Sequence, residues 1–395
     1  MTSSLATTPA AAAFPAHRAK ILAMSFVAGA VVTNIYYNQP MLPLIAADLG
    51  IPEGSIGLIP GFTLAGFSCG VLTLLPLGDR FDRKRLVLGQ IALACVFAAL
   101  SAAAASLPML LAASFALGMV CCVPQQLVPF ASAMSPPAER GRSVGTVVSG
   151  IMIGLLLGRV VGGALSAVAG WRAVFALAAV FMVAIGGLAA MVLPKGKPTT
   201  DLTYPRLLAS LWPLLRDHAA LRRAMATQGL LWVGFTAFWA NLATMLAGDP
   251  WRLGPFWAGA FGLVGLVGAL GATFGGRASD RWGSRRVVFL AAALVTLAYA
   301  LMFAATFSMA ALIAGVILLD LGCQIGLVSN QTRVFAIDAK AQGRINTLYM
   351  TATFLGGAIG AALSGWLMGR FGWSGVAALG CAAGIAAGAV HAGGK

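Results

Sequence analysis

The amino-acid sequence predicts an all-α polytopic membrane protein with twelve transmembrane helices in two pseudo-symmetric bundles of six. Three observations predict this fold class: the composition, the number of long apolar segments, and a set of motifs that occurs twice. Of the 395 residues, 59% are hydrophobic and only 9% are charged. A soluble chain carries about 25% charged residues, so this chain has too few to cover a water-facing surface. The composition excludes soluble enzymes, DNA-binding proteins and disulfide-stapled secreted domains.

Twelve apolar segments are each long enough to cross a bilayer, which takes about 20 residues. They lie at about 20–46, 54–77, 86–105, 108–134, 143–168, 172–193, 224–247, 253–276, 287–307, 309–335, 345–369 and 374–393. The longest polar interruption follows the sixth segment. We therefore expect four regions: a disordered cytoplasmic tail at 1–19, an N-terminal bundle at 20–193, a cytoplasmic central loop at 194–223 and a C-terminal bundle at 224–395. Within the loop, residues 204–215 are typical of an amphipathic helix on the membrane surface.

The basic residues predict the orientation of the spans. With both termini in the cytoplasm, every Lys and Arg except Arg159, Arg172, Arg252 and Arg370 lies on the cytoplasmic side. This is the bias that the positive-inside rule describes. It accounts for the formal net charge of +15 without a nucleic-acid partner.

The two halves repeat one set of motifs at a nearly constant offset. Asp79-Arg80, after the second segment, matches Asp280-Arg281, after the eighth, 201 residues on. Gly170-Trp171 matches Gly372-Trp373, 202 residues on. An offset that holds from early to late in each half indicates a duplicated six-helix unit. Paired membrane halves that meet around a midplane site are typical of transporters.

These motifs resemble those of the major facilitator superfamily. The loop from Gly276 to Arg286 fits the family's signature of Gly, three residues, Asp-Arg, one residue, Gly and basic residues. The loop after span two keeps the Asp-Arg pair, Arg83 and Lys84. Span five, from Gly154 to Gly163, resembles the Gly-rich motif of the family's exporters, with Arg159 in place of the usual Pro. The Arg-x-x-Gln-Gly motif of many proton antiporters is absent from span four.

Two further segments, 34–40 in span one and 329–333 in span ten, look like those of a bacterial branch of efflux permeases for drugs, sugars or other small metabolites. The resemblance implies a monomeric secondary active transporter of the bacterial inner membrane that works by alternating access. It implies proton-coupled efflux, an antiporter, with a small-molecule substrate, protons and the lipid bilayer as partners and no cofactor besides the proton gradient. Proton-coupled uptake of a polar metabolite and, more remotely, a channel are the alternatives. An enzyme is not expected, because the spans hold no cluster of catalytic or metal-binding groups.

Two short charged loops are candidate gates between open states. An acid at the inner end of a span can accept hydrogen bonds from the N-terminus of a neighbouring helix, where the helix dipole is positive. The basic residues beside it can pair across the loop. The gating candidates are Asp79, Arg80, Arg83, Asp280, Arg281 and Arg285.

Asp320 and Arg159 are the candidate proton-coupling centre or ion pair. They are the only acidic and the only basic residue deep inside the spans, and they belong to different halves. An ionisable residue inside a membrane costs about 2.5–3.5 kcal/mol on insertion scales and normally faces a cavity or a partner. We therefore expect a salt bridge or a substrate contact that the two residues share.

Polar and aromatic residues on spans one, four, seven and ten are candidates for the substrate cavity, because the resemblance implies that these spans line it. Asn34, Tyr37 and Asn38 have the i, i+3, i+4 spacing of one helix face. The same side chains could instead join helices by hydrogen bonds. The remaining candidates are Gln125, Gln126, Gln228, Trp232, Trp239, Gln324, Asn330 and Gln331.

Overall fold

The computed structural model describes residues 10–196, 200, 202–338 and 341–393, which contain fourteen α-helices. The first seven are α1 (Ala10–Thr33), α2 (Leu42–Leu49), α3 (Leu58–Arg80), α4 (Arg83–Ala102), α5 (Leu107–Val120), α6 (Val123–Met134) and α7 (Arg140–Val192). The other seven are α8 (Tyr204–Ala209), α9 (Leu211–Asp217), α10 (Ala219–Ala247), α11 (Pro255–Trp282), α12 (Ser284–Met302), α13 (Met309–Phe335) and α14 (Gln342–Ala392).

The helices correspond to the twelve predicted spans. α3, α4, α10, α12 and α13 each form one span, and α7 and α14 each contain two. α11 covers the eighth predicted span. The two long helices bend at Gly170 (φ 80°) and Gly372 (φ 62°), where a positive φ favours glycine because it has no Cβ. These are the glycines of the repeated Gly-Trp pair, so the repeat marks the same turn in each half.

Spans one and four are interrupted. α1 ends at Thr33, and turns lead through residues 34–38 to a 3-10 turn at Gln39–Met41 and then to α2. Pro40 contributes to the break, since proline lacks a backbone N–H, whereas Pro43 lies in the first turn of α2, where proline is tolerated. α5 and α6 are separated in the same way just before Pro124.

The helices of the structure differ from the predicted organisation at three places. α1 already begins at Ala10, so residues 10–19 are helical rather than a disordered tail, in keeping with the high helix propensity of alanine. The remainder of the predicted tail, residues 1–9, lies outside the described residues. α10 begins at Ala219, five residues before the predicted start of the C-terminal bundle. The central loop holds two short helices, α8 and α9, in place of one amphipathic helix.

The two halves touch most closely at one end of the molecule. We call the end where α3 and α11 finish the basic end and the opposite one the far end. Toward the far end, Gly57 just before α3 meets Gly365 of α14, and Gly259 of α11 meets Gly163 of α7. An ideal Cβ would lie 2.8 Å from the partner's Cα in the first pair and 3.2 Å in the second. The pairs are related by an offset of 202 residues, so both crossings follow the duplication.

A polar contact at the far end ties the end of span one to the turn between spans five and six. The Asp48 carboxylate accepts hydrogen bonds from Arg172 and from Trp171 Nε1. The hydrogen bond from Arg172 lowers the pKa of Asp48, which lies beyond the predicted end of span one. Arg172 also donates to the Ala104 carbonyl oxygen at 3.1 Å, so one side chain joins three parts of the N-terminal bundle.

Candidate functional site

Arg159 lies on α7 between the two halves and is 2% exposed. Its Nε donates to Gln39 Oε1 at 2.9 Å. Its guanidinium carbon lies 3.9 Å from the centroid of the Trp239 ring, 4.8 Å from that of Tyr36 and 5.8 Å from that of Phe235. These are cation–π distances. The Nη2 atom is buried and has no hydrogen-bond partner among the described residues, so part of the cation is left without an acceptor.

Asp320 on α13 is buried and is connected to Arg159 through Trp239. The Trp239 Nε1–H donates to Asp320 Oδ1 at 3.2 Å, while the face of the same ring lies against Arg159. Gly265 of α11 leaves the space for this arrangement, because a Cβ there would lie 2.5 Å from Asp320 Oδ2. None of the ion pairs among the described residues joins Asp320 to Arg159. The indole ring thus takes the place of the predicted salt bridge.

Two cavities meet at Arg159. The larger, of about 30 Å³, is lined by Met152, Leu155, Leu156, Arg159, Phe235, Gly262, Gly265, Asp320 and Gln324. The smaller is lined by Gln39, Pro40, Arg159, Trp239, Leu242, Ala243 and Ala258. The first span of α7, up to Gly170, runs from the basic end to the far end, and Met152 precedes Arg159 along it, so the larger cavity extends toward the basic end. Arg159, Gln39 and Trp239 therefore separate the two cavities.

The candidate cavity residues of the N-terminal half lie outside both of these cavities. Asn34 donates from Nδ2 to backbone carbonyl oxygens of its own helix at 3.2 and 3.1 Å, and Asn38 donates to Thr63 Oγ1 at 3.0 Å. Tyr37 is buried. α1 ends before these three residues, so they do not lie on one face of a continuous helix. The Asn38 hydrogen bond joins the end of span one to α3.

The two glutamines of span four likewise lie outside the cavities. Gln126 is buried and donates from Nε2 to Gln90 Oε1 at 2.9 Å. Gln90 in turn donates to Cys122 Sγ at 3.2 Å. Gln125 is half-buried. This chain of hydrogen bonds connects α4 to span four inside the N-terminal bundle.

The candidates on α10 share one face, because residues 228, 232, 235 and 239 follow helical spacing. Trp239 and Phe235 reach the cavities, as does Gln324 from α13. Trp232 stacks on Phe235 with ring centroids 4.8 Å apart, and its Nε1 has no partner in the described part of the chain. Gln228 is fully buried, and neither amide atom of its side chain is hydrogen-bonded to a described residue.

The last two candidates lie near the basic end of α13. Gln331 donates from Nε2 to Asn346 Oδ1 at 2.9 Å, which joins α13 to α14. Asn330 accepts from Arg333 at 3.4 Å, and its Nδ2 has no partner within the described ranges. These contacts belong to helix packing within the C-terminal bundle.

The first candidate gating loop has a different pairing from the predicted one. Asp79 pairs with Arg83, one helical turn on, at 2.9 Å. Arg83 Nε also donates to the Gly78 carbonyl oxygen at 3.0 Å. Arg80 lies over the ring of Phe81 at 5.7 Å. These contacts are all made between residues of the same loop and the helix ends beside it.

In the second loop, Asp280 and Arg281 are exposed. The backbone carbonyl oxygen of Arg285 lies 3.0 Å from His391 Nε2, near the end of α14. The loop is thereby attached to the last helix of its own half. The two copies of the motif share their sequence pattern but not these contacts.

Sequence reasoning missed three residues of the site: Gln39, Phe235 and Gly265. Gln39 precedes Pro40, and that proline signals the helix break that turns Gln39 toward Arg159. Phe235 lies one helical turn from Trp232 and Trp239, which were candidates, so its position on the same face could have been predicted. Nothing in the sequence marks Gly265, since its role depends on the side chain that α13 places against it.

Two membrane-spanning halves that meet around a buried, charge-lined cavity define a transporter rather than an enzyme. The chain belongs to the major facilitator superfamily, since the model of that family matches residues 24–335 and, again, 253–392.

Curated relatives agree with this family. The chain is 35% identical to the uncharacterised transporter YgaY of Escherichia coli O157:H7 over 91% of both chains. It is 33% identical to the probable transporter SCO4007 of Streptomyces coelicolor, over 88% of this chain and 80% of that protein. It is 28% identical to a chloramphenicol resistance protein of Streptomyces lividans over 64% of both chains.

Solved structures confirm the fold. A point mutant of the nucleoside transporter NupG superposes with a TM-score of 0.78, covering 96% of this chain and 100% of that one at 14% identity. A bacterial homologue of the lysosomal transporter Spinster, in an inward-facing and unoccupied conformation, gives a TM-score of 0.75 at 14% identity, covering 96% and 95% of the two chains.

Proposed function

We propose that this transporter is a monomeric proton-coupled exporter of a small organic molecule in the bacterial inner membrane, working by alternating access. One observation carries the proposal: Arg159 from one half and Asp320 from the other line the same cavity and are connected through Trp239. A site to which both halves contribute changes when the halves move against each other. Occupancy of such a site is therefore linked to which side of the membrane it faces.

Asp320 is the proton carrier in this proposal. It is the buried carboxylate of the larger cavity, and a carboxyl group inside a membrane segment is a common element of proton relays. The N–H of Trp239 gives the ionised carboxylate one donor. A substrate group that binds the ionised carboxylate competes with the proton for it. This competition couples export of the substrate to entry of the proton.

The direction and orientation rest on charge and on one relative. The basic end carries most of the Lys and Arg residues, which assigns it to the cytoplasm together with both termini. The crossings at Gly57 and Gly259 then close the periplasmic side and leave the larger cavity on the cytoplasmic side of Arg159. The resistance named for the Streptomyces lividans relative favours export.

Proton flux in proteoliposomes tests the proposal. We expect chloramphenicol, added outside vesicles that contain a pH-sensitive dye, to make the lumen more alkaline with the wild-type protein. Uptake together with a proton, the alternative, would make the lumen more acidic. Asp320→Asn should abolish the pH change and accumulation while substrate exchange continues. Asp249→Asn is the matched control, since its carboxylate is exposed, is paired with Arg252 and lines neither cavity.

Full proton-driven accumulation by Asp320→Asn would contradict the proposal. Asp320 would then be a structural partner of Trp239. Normal behaviour of Asp249→Asn in the same preparation shows that the loss of an arbitrary carboxylate does not impair transport.

A further inference from the structure

Arg159 has unused hydrogen-bonding capacity. A guanidinium carries five N–H donors, and within the described part of the chain only Nε has an acceptor, the amide oxygen of Gln39. Nη2 is buried without a partner there. A buried donor of a charged group is costly when it is left unpaired. The neighbouring carboxylate does not supply the missing acceptor, because Asp320 is hydrogen-bonded to Trp239 instead.

Both charges line the same cavity. Arg159 and Asp320 are on the wall of the larger cavity, with the ring of Trp239 between them. The guanidinium carbon is 3.9 Å from the ring centroid, and Nε1 is 3.2 Å from the carboxylate oxygen. The two charges are therefore separated by about the width of one indole ring, a gap that a small ligand can bridge with a hydrogen bond at each end.

The net charge of this pair constrains the ligand. With Asp320 ionised, the cavity wall carries one positive and one negative charge, which sum to zero. In a medium of low dielectric constant a purely cationic ligand is attracted by Asp320 but repelled by Arg159, and a purely anionic ligand is attracted by Arg159 but repelled by Asp320. A zwitterion satisfies both charges. Apart from Gln324, the rest of the wall is apolar, with Phe235, Leu155 and Leu156 among its residues.

We infer that the substrate class is a compact zwitterion with an apolar or aromatic side group, such as an apolar α-amino acid. Its carboxylate binds Arg159 Nη2, and its ammonium binds Asp320. The side group packs against Phe235. This inference rests on the proposed function and deepens it, since the ammonium is the group that competes with the proton at Asp320.

Four ligands with one common skeleton test the inference on the full chain in lipid nanodiscs by calorimetry. They are phenylalanine, 3-phenylpropanoate, 2-phenylethylamine and 3-phenylpropanamide. We expect phenylalanine to bind the wild-type protein about tenfold or more tightly than each of the others, as expected for losing one charge-assisted hydrogen bond. This comparison requires no variant.

Two substitutions then assign the ends of the ligand. Arg159→Gln should remove the advantage of phenylalanine over 2-phenylethylamine, and Asp320→Asn should remove its advantage over 3-phenylpropanoate. Arg159→Lys should retain part of the first advantage because it keeps the positive charge. Arg370→Gln is the matched control, since Arg370 also lies over a tryptophan ring, that of Trp366, but outside both cavities. Thermal unfolding of each variant checks that it is folded.

A single-charge ligand that binds as tightly as phenylalanine, or no binding by any of the four, would overturn the inference. A preference that survives both substitutions would also overturn it. Proton flux is read separately. If phenylalanine binds with the expected pattern but moves without a proton, the proposed coupling fails and the substrate class stands. If proton-coupled chloramphenicol transport occurs without phenylalanine binding, the inferred substrate class fails and the proposed coupling stands.

Discussion

The crossing of α11 and α7 at Gly259 offers the most direct test of alternating access. An ideal Cβ on Gly259 would lie 2.5 Å from the Arg159 carbonyl oxygen and 3.2 Å from Gly163 Cα. Both distances are below the 3.4 Å at which ordinary contact begins, and the obstructing atoms belong to the backbone. With Gly259→Ala, the two helices must therefore separate by about 1 Å for the crossing to close.

The free-energy cost of Gly259→Ala applies only to the state in which the far end is closed. Overpacking of a close contact costs about 1–3 kcal/mol. The state that opens the far end has separated the two helices and does not bear this cost. The balance between the states should therefore shift toward the open far end by about 5- to 150-fold.

Accessibility labelling measures this shift. We would place a single cysteine at Ala243, which lines the smaller cavity, in a chain whose six native cysteines are replaced. A membrane-impermeant maleimide added to whole cells should label this cysteine at least about fivefold faster in Gly259→Ala, the low end of the calculated shift. Gly276→Ala is the matched control, because Gly276 lies on the same helix with nothing within 4 Å of a Cβ. Equal labelling of both variants, with both folded, would refute the reasoning.

Two further predictions concern Trp239 and Asp79. Trp239→Phe keeps an aromatic face for Arg159 but removes the donor to Asp320. We therefore expect the free energy of unfolding to fall by about 1–3 kcal/mol, measured by thermal or denaturant unfolding. An unchanged unfolding midpoint would mean that the hydrogen bond contributes nothing to stability. Asp79→Asn removes the pair with Arg83 and should change the same labelling rate while membrane insertion stays normal, whereas Asp280→Asn, at an exposed position, should change it less. Equal effects of the two substitutions would show that the pairing of Asp79 with Arg83 does not matter for the balance of states.

The fold could be predicted from the sequence because its signals are redundant. Composition, segment length and the repeated motifs all indicate twelve spans, and the 202-residue offset correctly paired Gly170 with Gly372. The boundaries of span one could not be predicted in the same way. Apolar segments show where a helix is stable in the membrane, but they do not show that the helix is interrupted before Pro40. Because of that one break, Asn34, Tyr37 and Asn38 do not share a face of α1.

Only part of the candidate site could be predicted from the sequence. Arg159 and Asp320 stand out in the sequence because a charge deep in a span is costly. Trp239 was a candidate as a cavity residue, but its position between the two charges depends on the packing of α10 against α7 and α13. Gly265 matters only because the Asp320 carboxylate fills the space beside it. Sequence patterns report periodicity along one helix and carry no information about such contacts between helices.

The site lies at positions where the two halves carry different side chains. Offsets of 202 residues relate the contact of Gly118 with Thr63 to the contact of Asp320 with Gly265. In the N-terminal half the small residue, Gly118, lies on span four, and the larger residue, Thr63, lies on span two. In the C-terminal half the sizes are exchanged, so that the carboxylate of α13 occupies the space left by a glycine of α11. The same pair of helix positions is thus a simple packing contact in one half, whereas in the other half it holds the buried acid.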